Sequence, residues 1–173
     1  MNPLPVIVGL VAAMRLGELV YSARNARLLE KRGAVELGAG HYPLIVFLHA
    51  AWLLVLFVFV PWDTPVHWLW LGLFLALQIL RVWTIASLGR FWTARVYSLP
   101  GAPLVRRGPY RFVAHPNYLI VAGEIAVLPL IFGAWRIALV FSILNAALLA
   151  WRIRIEEHGL ASRRSLPQSQ RPA

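Results

Sequence analysis

Five long runs of apolar residues constrain the fold of this 173-residue chain more than any other feature. They lie at about residues 4–21, 43–60, 66–88, 116–132 and 135–153. A helix of roughly 20 mostly apolar residues is long enough to cross a bilayer. Hydrophobic residues make up 60% of the chain, against roughly 45–50% in a soluble domain. The sequence therefore predicts an all-α integral membrane protein with about five transmembrane helices.

The basic residues are distributed unevenly between the two sides of this predicted topology. Fourteen of the 17 basic residues fall in the first connection, in the third connection, or at the end of the fifth run and beyond it. These regions share one side of a five-span protein, whereas the other side has Arg136. Because cytoplasmic loops are enriched in Lys and Arg, we expect the N-terminus outside and the long loop and tail in the cytoplasm. Topology thus accounts for the net charge of +10, and nucleic acid is not expected as a partner.

The chain is interpreted as one transmembrane domain, residues 1–160, followed by a tail. Residues 161–173 are rich in Arg, Ser, Gln and Pro, and we expect them to be disordered. The first apolar run contains Arg15 and Glu18, where a cleavable signal peptide would be apolar, so it is expected to be retained as a helix. The chain has no cysteine, which excludes thiolate metal sites and cysteine nucleophiles. No metal site is predicted.

Several polar side chains lie inside the apolar runs. Arg15 and Glu18 are three residues apart and share one helical face. An unpaired charge near the membrane centre costs roughly 2.5–3.5 kcal/mol, so they form either a structural pair within one helix or part of the wall of a polar cavity. For His49 we expect an interhelical hydrogen bond. Arg81, about two turns from the cytoplasmic end of its span, is expected to extend toward that interface.

Residues 89–115 form the longest polar connection. Residues 93–98 alternate in polarity, and Pro100-Gly101 is a turn signal, so a short hairpin is predicted there. A connection of this length in a compact protein is usually functional or disordered. The aromatic residues within it favour packing over disorder, so a functional segment is the better interpretation.

Two polar clusters stand where this connection meets the fourth run and where the fifth run ends. The first is Gly108-Pro109-Tyr110-Arg111 followed by His115-Pro116-Asn117-Tyr118, and the second is Arg152 to His158 with Glu156 and Glu157. Proline favours the first position of a helix, and it restricts the residue before it to an extended backbone conformation. His115 is therefore expected to cap the fourth helix, whose free N–H groups attract anions.

The two clusters are expected to lie side by side. The fourth and fifth runs are separated only by residues 133–135, so they should form an antiparallel hairpin with both clusters at its open end. Arg152 and Glu156 are also compatible with an ordinary surface pair four residues apart. An anion subsite beside a carboxylate suits a zwitterionic amino-acid group.

The paired motifs resemble the isoprenylcysteine carboxyl methyltransferase family of membrane enzymes over roughly residues 85–160. The family commonly has Arg immediately before His-Pro, whereas this chain has Ala114. The function of that Arg would have to come from Arg111 or Arg152, or be absent. The first half, including Arg15-Leu16-Gly17-Glu18-Leu19 and Ser22-Ala23-Arg24-Asn25, is similar to a bacterial branch that methylates long-chain alkylpyrones or alkylresorcinols.

The resemblance implies S-adenosylmethionine as methyl donor, bound mainly by residues 85–160 through the cytoplasmic loop and the C-terminal helical extension. It implies that His115, Tyr118 and Glu156 contact the donor, while the pocket is shaped by Tyr110, Pro116 and Glu157. Arg111 and Arg152 are the candidates for a catalytic role. The implied reaction is O-methylation of a lipophilic or lipidated acceptor by a protein in contact with membrane lipids, in a bacterial inner membrane.

Two other functions stay open at this stage. Membrane reductases of the sterol-reductase type use NADPH and contain a similar His-Pro-Asn-Tyr segment, although they are generally much longer. A non-enzymatic membrane scaffold is the second alternative. Binding of S-adenosylmethionine or of NADPH would distinguish the three. The identity of the acceptor and the oligomeric state do not follow from the sequence.

Overall fold

The computed structural model describes residues 2–38, 40, 42–99 and 107–164, of which 157–164 are described by backbone alone. Five helices follow one another in these residues, together with two short strands and two 3₁₀ turns. The helices are α1 (Pro3–Glu30), α2 (Tyr42–Phe59), α3 (Trp68–Leu88), α4 (Pro116–Leu130) and α5 (Trp135–Arg164). The strands are β1 (Val35–Leu37) and β2 (Val96–Ser98).

The predicted all-α integral membrane architecture is confirmed. Four of the described helices, α1, α2, α3 and α5, are long and apolar enough to cross a membrane. Their outward surfaces are apolar as well, because large side chains such as Phe47, Phe59 and Leu69 are exposed on the bundle. In a bilayer this surface contacts lipid, where an apolar side chain needs no polar partner.

Helix α4 is shorter and more buried than the predicted fourth span. Its 15 residues correspond to about 22 Å, less than the roughly 30 Å hydrocarbon thickness of a bilayer. It packs between α3 and α5, and Ile120, Ile125 and Leu128 are buried along it. The turn after it, in which Gly133 adopts a φ of 68°, leads directly into α5. The predicted hairpin of the fourth and fifth helices is therefore present, with its first helix at the centre of the bundle.

Helix α1 extends to Glu30, well beyond the predicted end near residue 21. The extension is held by the residues that follow α3: Asn25 donates hydrogen bonds to the carbonyl groups of Gly89 and Trp92, at 3.2 and 2.8 Å. The hydroxyl of Ser22 accepts one from the backbone of Ala94 at 2.8 Å. At the other terminus α5 is helical to Arg164. Residues 165–173 lie outside the described residues.

Strand β2 confirms the strand predicted near residues 93–98, but its pairing differs from the expected hairpin. Within the described residues it pairs antiparallel with β1, and Glu36 lies opposite Tyr97. The Tyr97 hydroxyl donates to Glu30 at 2.6 Å, and Arg95 forms an ion pair with Glu36 at 3.0 Å. The pairing joins the first and third connections. Residues 100–106, where a hairpin would have turned back, lie outside the described residues.

The 3₁₀ turn Gly108–Arg111 lies against the end of α3. Gly108 has a φ of 59°, and a Cβ atom there would lie 2.0 Å from the Ser87 hydroxyl. Only glycine satisfies both the backbone conformation and this close approach. Arg107 adds a hydrogen bond from its Nε to the Ser87 carbonyl at 2.9 Å. We call the end of the bundle that carries β1, β2, this turn and the start of α4 the loop end.

Candidate functional site

The start of α4 brings two ring side chains together at the loop end. His115 is the N-cap residue, with φ −129° and ψ 61°, and Pro116 occupies the first turn, as the sequence predicts. The side chain of His115 does not bond to the helix backbone. Its ring instead stacks on the ring of Tyr118, with centroids 5.1 Å apart and planes 6° apart. This leaves the imidazole edges available for other groups.

The Tyr118 hydroxyl connects α4 to the end of α5. It donates a hydrogen bond to Glu156 Oε2 at 2.7 Å and accepts one from Arg152 Nε at 2.9 Å. Arg152 also donates from Nη2 to the carbonyl of Ala94 at 2.7 Å. Arg152 and Glu156 are therefore linked through the Tyr118 hydroxyl. This arrangement differs from the ordinary surface ion pair that their spacing of four residues also allowed. Because of these bonds, the Arg152 guanidinium is fixed over the Tyr118 ring, 5.2 Å from its centroid.

Glu156 is the common neighbour of the predicted donor contacts. Its Oε2 lies 3.8 Å from His115 Nδ1, in addition to its bond with Tyr118. It also faces Tyr110: burial of that phenol, and then the negative charge of Glu156, raise the pKa of Tyr110 to about 12. Tyr110 is therefore an uncharged hydroxyl at neutral pH. The structure thus brings Tyr110, His115, Pro116, Tyr118, Arg152 and Glu156 to one place, which we call the Glu156 cluster.

Two predicted site residues are not part of this cluster as described. Arg111 is exposed, and its guanidinium lies over the ring of Phe112, 5.8 Å from the centroid. The side chain of Glu157 lies outside the described residues. Ala114, which stands where relatives of the resembled family commonly have Arg, is exposed. Of the two candidate arginines, Arg152 is the one within the cluster.

A cavity of about 490 Å³ runs from Tyr118 and Arg152, two members of the Glu156 cluster, into the bundle. At the loop end it is lined by Asn117, Tyr118 and Arg152. Deeper walls are largely apolar and come from α1, α2, α4 and α5. Leu16 and Leu54 line the cavity and are more than 60% exposed on the bundle surface. The cavity therefore reaches the lipid-facing side between α1 and α2, and we call it the bundle cavity.

A buried ionic network lies beside the bundle cavity, about halfway along the helices. Arg15 bonds to Glu18 and to Glu124, both at 2.8 Å. Arg81 bonds to Glu18 at 2.6 Å and to Glu124 at 2.9 Å. Gln78 adds a hydrogen bond to Glu124 at 2.7 Å. Two arginines and two glutamates thus neutralise one another, as charges at membrane depth require.

The network changes two expectations from the sequence. Arg81 is buried, with a relative accessibility of 7%, and does not extend to the interface, because two carboxylates are closer than water. Arg15 and Glu18 pair with each other within α1 and also line the bundle cavity. Both interpretations from the sequence, a pair within one helix and part of a cavity wall, therefore apply. The sequence analysis did not identify Glu124 as their partner, although a single carboxylate within an apolar run indicates a buried partner for a basic side chain.

Two further cavity residues were also misjudged or missed. The Nδ1 atom of His49 lies 2.8 Å from the carbonyl of Ile45 in its own helix, so its bond is intrahelical, not interhelical as expected. Asn117 Oδ1 is buried and has no hydrogen-bond partner within the described part of the chain. A buried, unpartnered acceptor beside a cavity is unusual in a folded protein. Nothing in the sequence marks Asn117 beyond its place in the His-Pro-Asn-Tyr segment.

Fold and site define a small helical membrane protein whose ionisable cluster stands at one end of a largely apolar cavity. The family model for the isoprenylcysteine carboxyl methyltransferase (ICMT) family matches residues 70–162, more than half of the chain. The chain therefore belongs to this family, and it is a membrane methyltransferase. The matched residues include α4, most of α5 and the whole Glu156 cluster.

Two curated relatives match over most of their length. A protein of Bacillus subtilis (strain 168), YpbQ, is 37% identical over 159 residues, which cover 89% of this chain and 94% of YpbQ. A Haemophilus influenzae (strain ATCC 51907 / DSM 11121 / KW20 / Rd) protein is 25% identical over 156 residues, covering 87% of this chain and 91% of that protein. Both are described as uncharacterized. No solved structure matches the chain.

Proposed function

We propose that this protein transfers the methyl group of S-adenosylmethionine to an oxygen atom of a lipophilic acceptor. The observation that carries the proposal is the bundle cavity, which has Asn117, Tyr118 and Arg152 at one end and opens between α1 and α2 at its apolar part. A polar donor and an apolar acceptor need different routes to one reaction centre. Such a cavity offers water-facing access at the loop end and lipid-facing access along its side.

The residues of the loop end fit the donor's amino-acid group. That group carries an ammonium and a carboxylate. The Glu156 carboxylate and the unpartnered Asn117 Oδ1 are acceptors suited to an ammonium. The Arg152 guanidinium suits a carboxylate. In this proposal His115, Tyr118 and Glu156 contact the donor, and Tyr110, Pro116 and Glu157 shape its pocket.

The donor, when bound, supplies an electrophilic methyl group on a sulfonium, and the protein's task is mainly to orient the reactants. Orientation alone lowers a barrier by roughly 7–11 kcal/mol in well-aligned systems. Arg152 is suited to this task because Tyr118 and the Ala94 carbonyl hold its guanidinium in place. Arg111 is the weaker candidate for a catalytic role, since its side chain is exposed.

The acceptor is proposed to carry one long apolar chain and an oxygen nucleophile, either a carboxylate or the hydroxyl of an enol or phenol. The loop end is proposed to face the cytoplasm of a bacterial inner membrane, where the soluble donor is available. The excess of basic residues at this end supports that orientation.

A methyl-transfer assay with labelled donor tests the proposal. Acceptors that share one head group and differ in chain length are offered to the purified protein in nanodiscs, and products are identified by mass spectrometry. Each buried methylene contributes roughly 0.8 kcal/mol, so shortening the chain should reduce kcat/KM steeply while donor affinity stays constant. Equal turnover of the head group without its chain would contradict the lipophilic acceptor.

Donor binding, measured by calorimetry, separates the proposal from the other functions that the sequence left open. Saturable binding of S-adenosylmethionine without binding of NADPH is the expected result. Binding of NADPH alone, or of neither cofactor, would contradict S-adenosylmethionine as the donor.

A further inference from the structure

His49 lines the bundle cavity, and one of its two ring nitrogens is hydrogen-bonded. Its Nδ1 lies 2.8 Å from the carbonyl oxygen of Ile45, one turn earlier in α2. A carbonyl oxygen only accepts hydrogen bonds, so Nδ1 must carry the hydrogen. In the neutral ring the lone pair is then on Nε2. His49 lines the cavity, and Nε2 is its ring nitrogen without a hydrogen-bond partner among the described residues.

The groups around His49 leave Nε2 free for a ligand. Arg15, Arg81 and Glu124 act on the ring electrostatically from α1, α3 and α4. Arg15 and Arg81 are each bonded both to Glu124 and to Glu18. Trp52 contributes a ring contact, with centroids 6.3 Å apart. Among the described residues, the hydrogen bond recorded for the imidazole is the one from Nδ1.

His49 lies where the polar and apolar parts of the cavity meet. The α2 residues that line the cavity include Tyr42 at the loop end and Leu53 and Phe57 toward the opposite end. His49 lies between them, about 10 Å from Tyr42 along the helix axis. An acceptor whose chain lies along Leu53 and Phe57 therefore places its head group beside His49, with its reacting oxygen directed toward the loop end.

We propose that His49 is the proton acceptor of the reaction, with its Nε2 taking the proton of an acceptor hydroxyl. This inference rests on the proposed methyl transfer. As the hydroxyl oxygen forms its bond to the methyl carbon, the carbon–sulfur bond breaks and its electron pair stays on sulfur. The hydroxyl proton passes to Nε2, which gives an imidazolium, and that proton returns to water when the product leaves.

A proton acceptor at this place matters only for an acceptor that is protonated at neutral pH. A phenol has a pKa near 10 and stays protonated at neutral pH, whereas a carboxylic acid with a pKa near 4 is already ionised. A base therefore accelerates the reaction of a phenol and has nothing to remove from a carboxylate. The contribution of a positioned base is typically 10²–10⁴-fold.

Two substitutions isolate this function. His49→Asn retains a side-chain N–H near the position of Nδ1 and can keep the bond to the Ile45 carbonyl. His49→Gln places an uncharged amide near the position of Nε2. Neither side chain accepts a proton at neutral pH. His67→Asn serves as the control, because His67 is exposed at the start of α3 and does not line the cavity.

The first measurement compares a long-chain alkylphenol with a fatty acid of matched chain length. Both His49 variants should lose at least about a hundredfold in kcat for the phenol while keeping donor affinity, and His67→Asn should match the parent protein. Any turnover of the fatty acid should be independent of His49. Unchanged phenol turnover in both folded variants would overturn the inference and leave the proposed function intact. Absence of methyl transfer by the parent protein to every lipophilic acceptor would contradict the proposed function itself.

The second measurement needs no donor. A nitrophenol with a long alkyl chain changes its visible absorption when it ionises, so the fraction of bound phenolate can be titrated directly in nanodiscs. The parent protein and His67→Asn should stabilise the phenolate, shifting the ionisation of the bound probe to lower pH. Both His49 variants should remove this shift. The same titration curve in the parent protein and both variants would contradict proton acceptance by His49.

Discussion

Tyr118 is the residue through which the two polar clusters of the sequence become one site. Its hydroxyl donates to Glu156 and accepts from Arg152, and its ring stacks against His115. One side chain thereby orders a carboxylate, a guanidinium and an imidazole. The sequence predicts that the clusters lie at the same end of a hairpin. The spacing of the residues does not indicate that Tyr118 stands between Arg152 and Glu156.

Loss of the Glu156 carboxylate or of the His115 ring should weaken donor binding. A hydrogen bond to a charged group contributes roughly 1.5–3 kcal/mol, so Glu156→Gln and His115→Ala should each raise the Kd for S-adenosylmethionine about tenfold or more. Calorimetry on protein in nanodiscs measures this. Glu36→Gln is the matched control, since it changes another loop-end carboxylate that is engaged with Arg95. A folded Glu156→Gln protein with the parent affinity would remove Glu156 from the donor site.

Tyr110 should make the protein sensitive to alkaline pH. Burial and the charge of Glu156 raise its pKa to about 12, whereas an unfolded tyrosine titrates near pH 10. Between these values the unfolded state releases its proton first, so stability is complete below about pH 10 and falls as the pH rises toward 12. Thermal unfolding midpoints of Tyr110→Phe should therefore decline less than those of the parent between pH 9 and 11. An identical decline in both proteins would show that Tyr110 does not contribute.

At the scale of the helices, α4 is the helix that packs between its neighbours and is largely buried by them. Its position lets Glu124 reach Arg15 on α1 and Arg81 on α3 at the same time. A carboxylate on a lipid-facing helix would have no such partners. The short length of α4 is tolerated because protein, not lipid, surrounds most of its surface.

Breaking the buried network should destabilise the bundle strongly. Glu124→Gln preserves the shape of the side chain but leaves Arg15 and Arg81 with one carboxylate between them. Removal of one partner from a buried ion pair typically costs 3–5 kcal/mol, whereas Glu36→Gln, which breaks a pair with a 42% exposed Arg95 side chain, should cost about 1 kcal/mol or less. Denaturant unfolding of the solubilised protein compares the two. Equal losses for the two variants would contradict the structural importance of the network.

At the scale of the whole molecule, the five helices pass alternately between the loop end and the opposite end of the bundle. The absence of cysteine makes single engineered cysteines clean reporters of orientation. In intact cells, an impermeant maleimide should label a cysteine at Asp63, but one at Arg24 or Arg90 only after permeabilisation. The physical reason is the excess of Lys and Arg at the loop end. The reverse labelling pattern would place the Glu156 cluster outside the cell and contradict a cytoplasmic donor site.

The sequence alone determined that five apolar segments become helices, where α4 begins, and that residues 115–118 and 152–156 share one end of the bundle. These properties depend on hydropathy, on the His115-Pro116 boundary and on a short connection, all of which are local. Contacts between residues that are distant in the chain were decided only by the tertiary structure. Arg15 and Glu124 are 109 positions apart, and β1 pairs with β2 across α2 and α3. Such pairings depend on how whole helices pack, so the burial of Arg81 and the exposure of Arg111 could not be read from neighbouring residues.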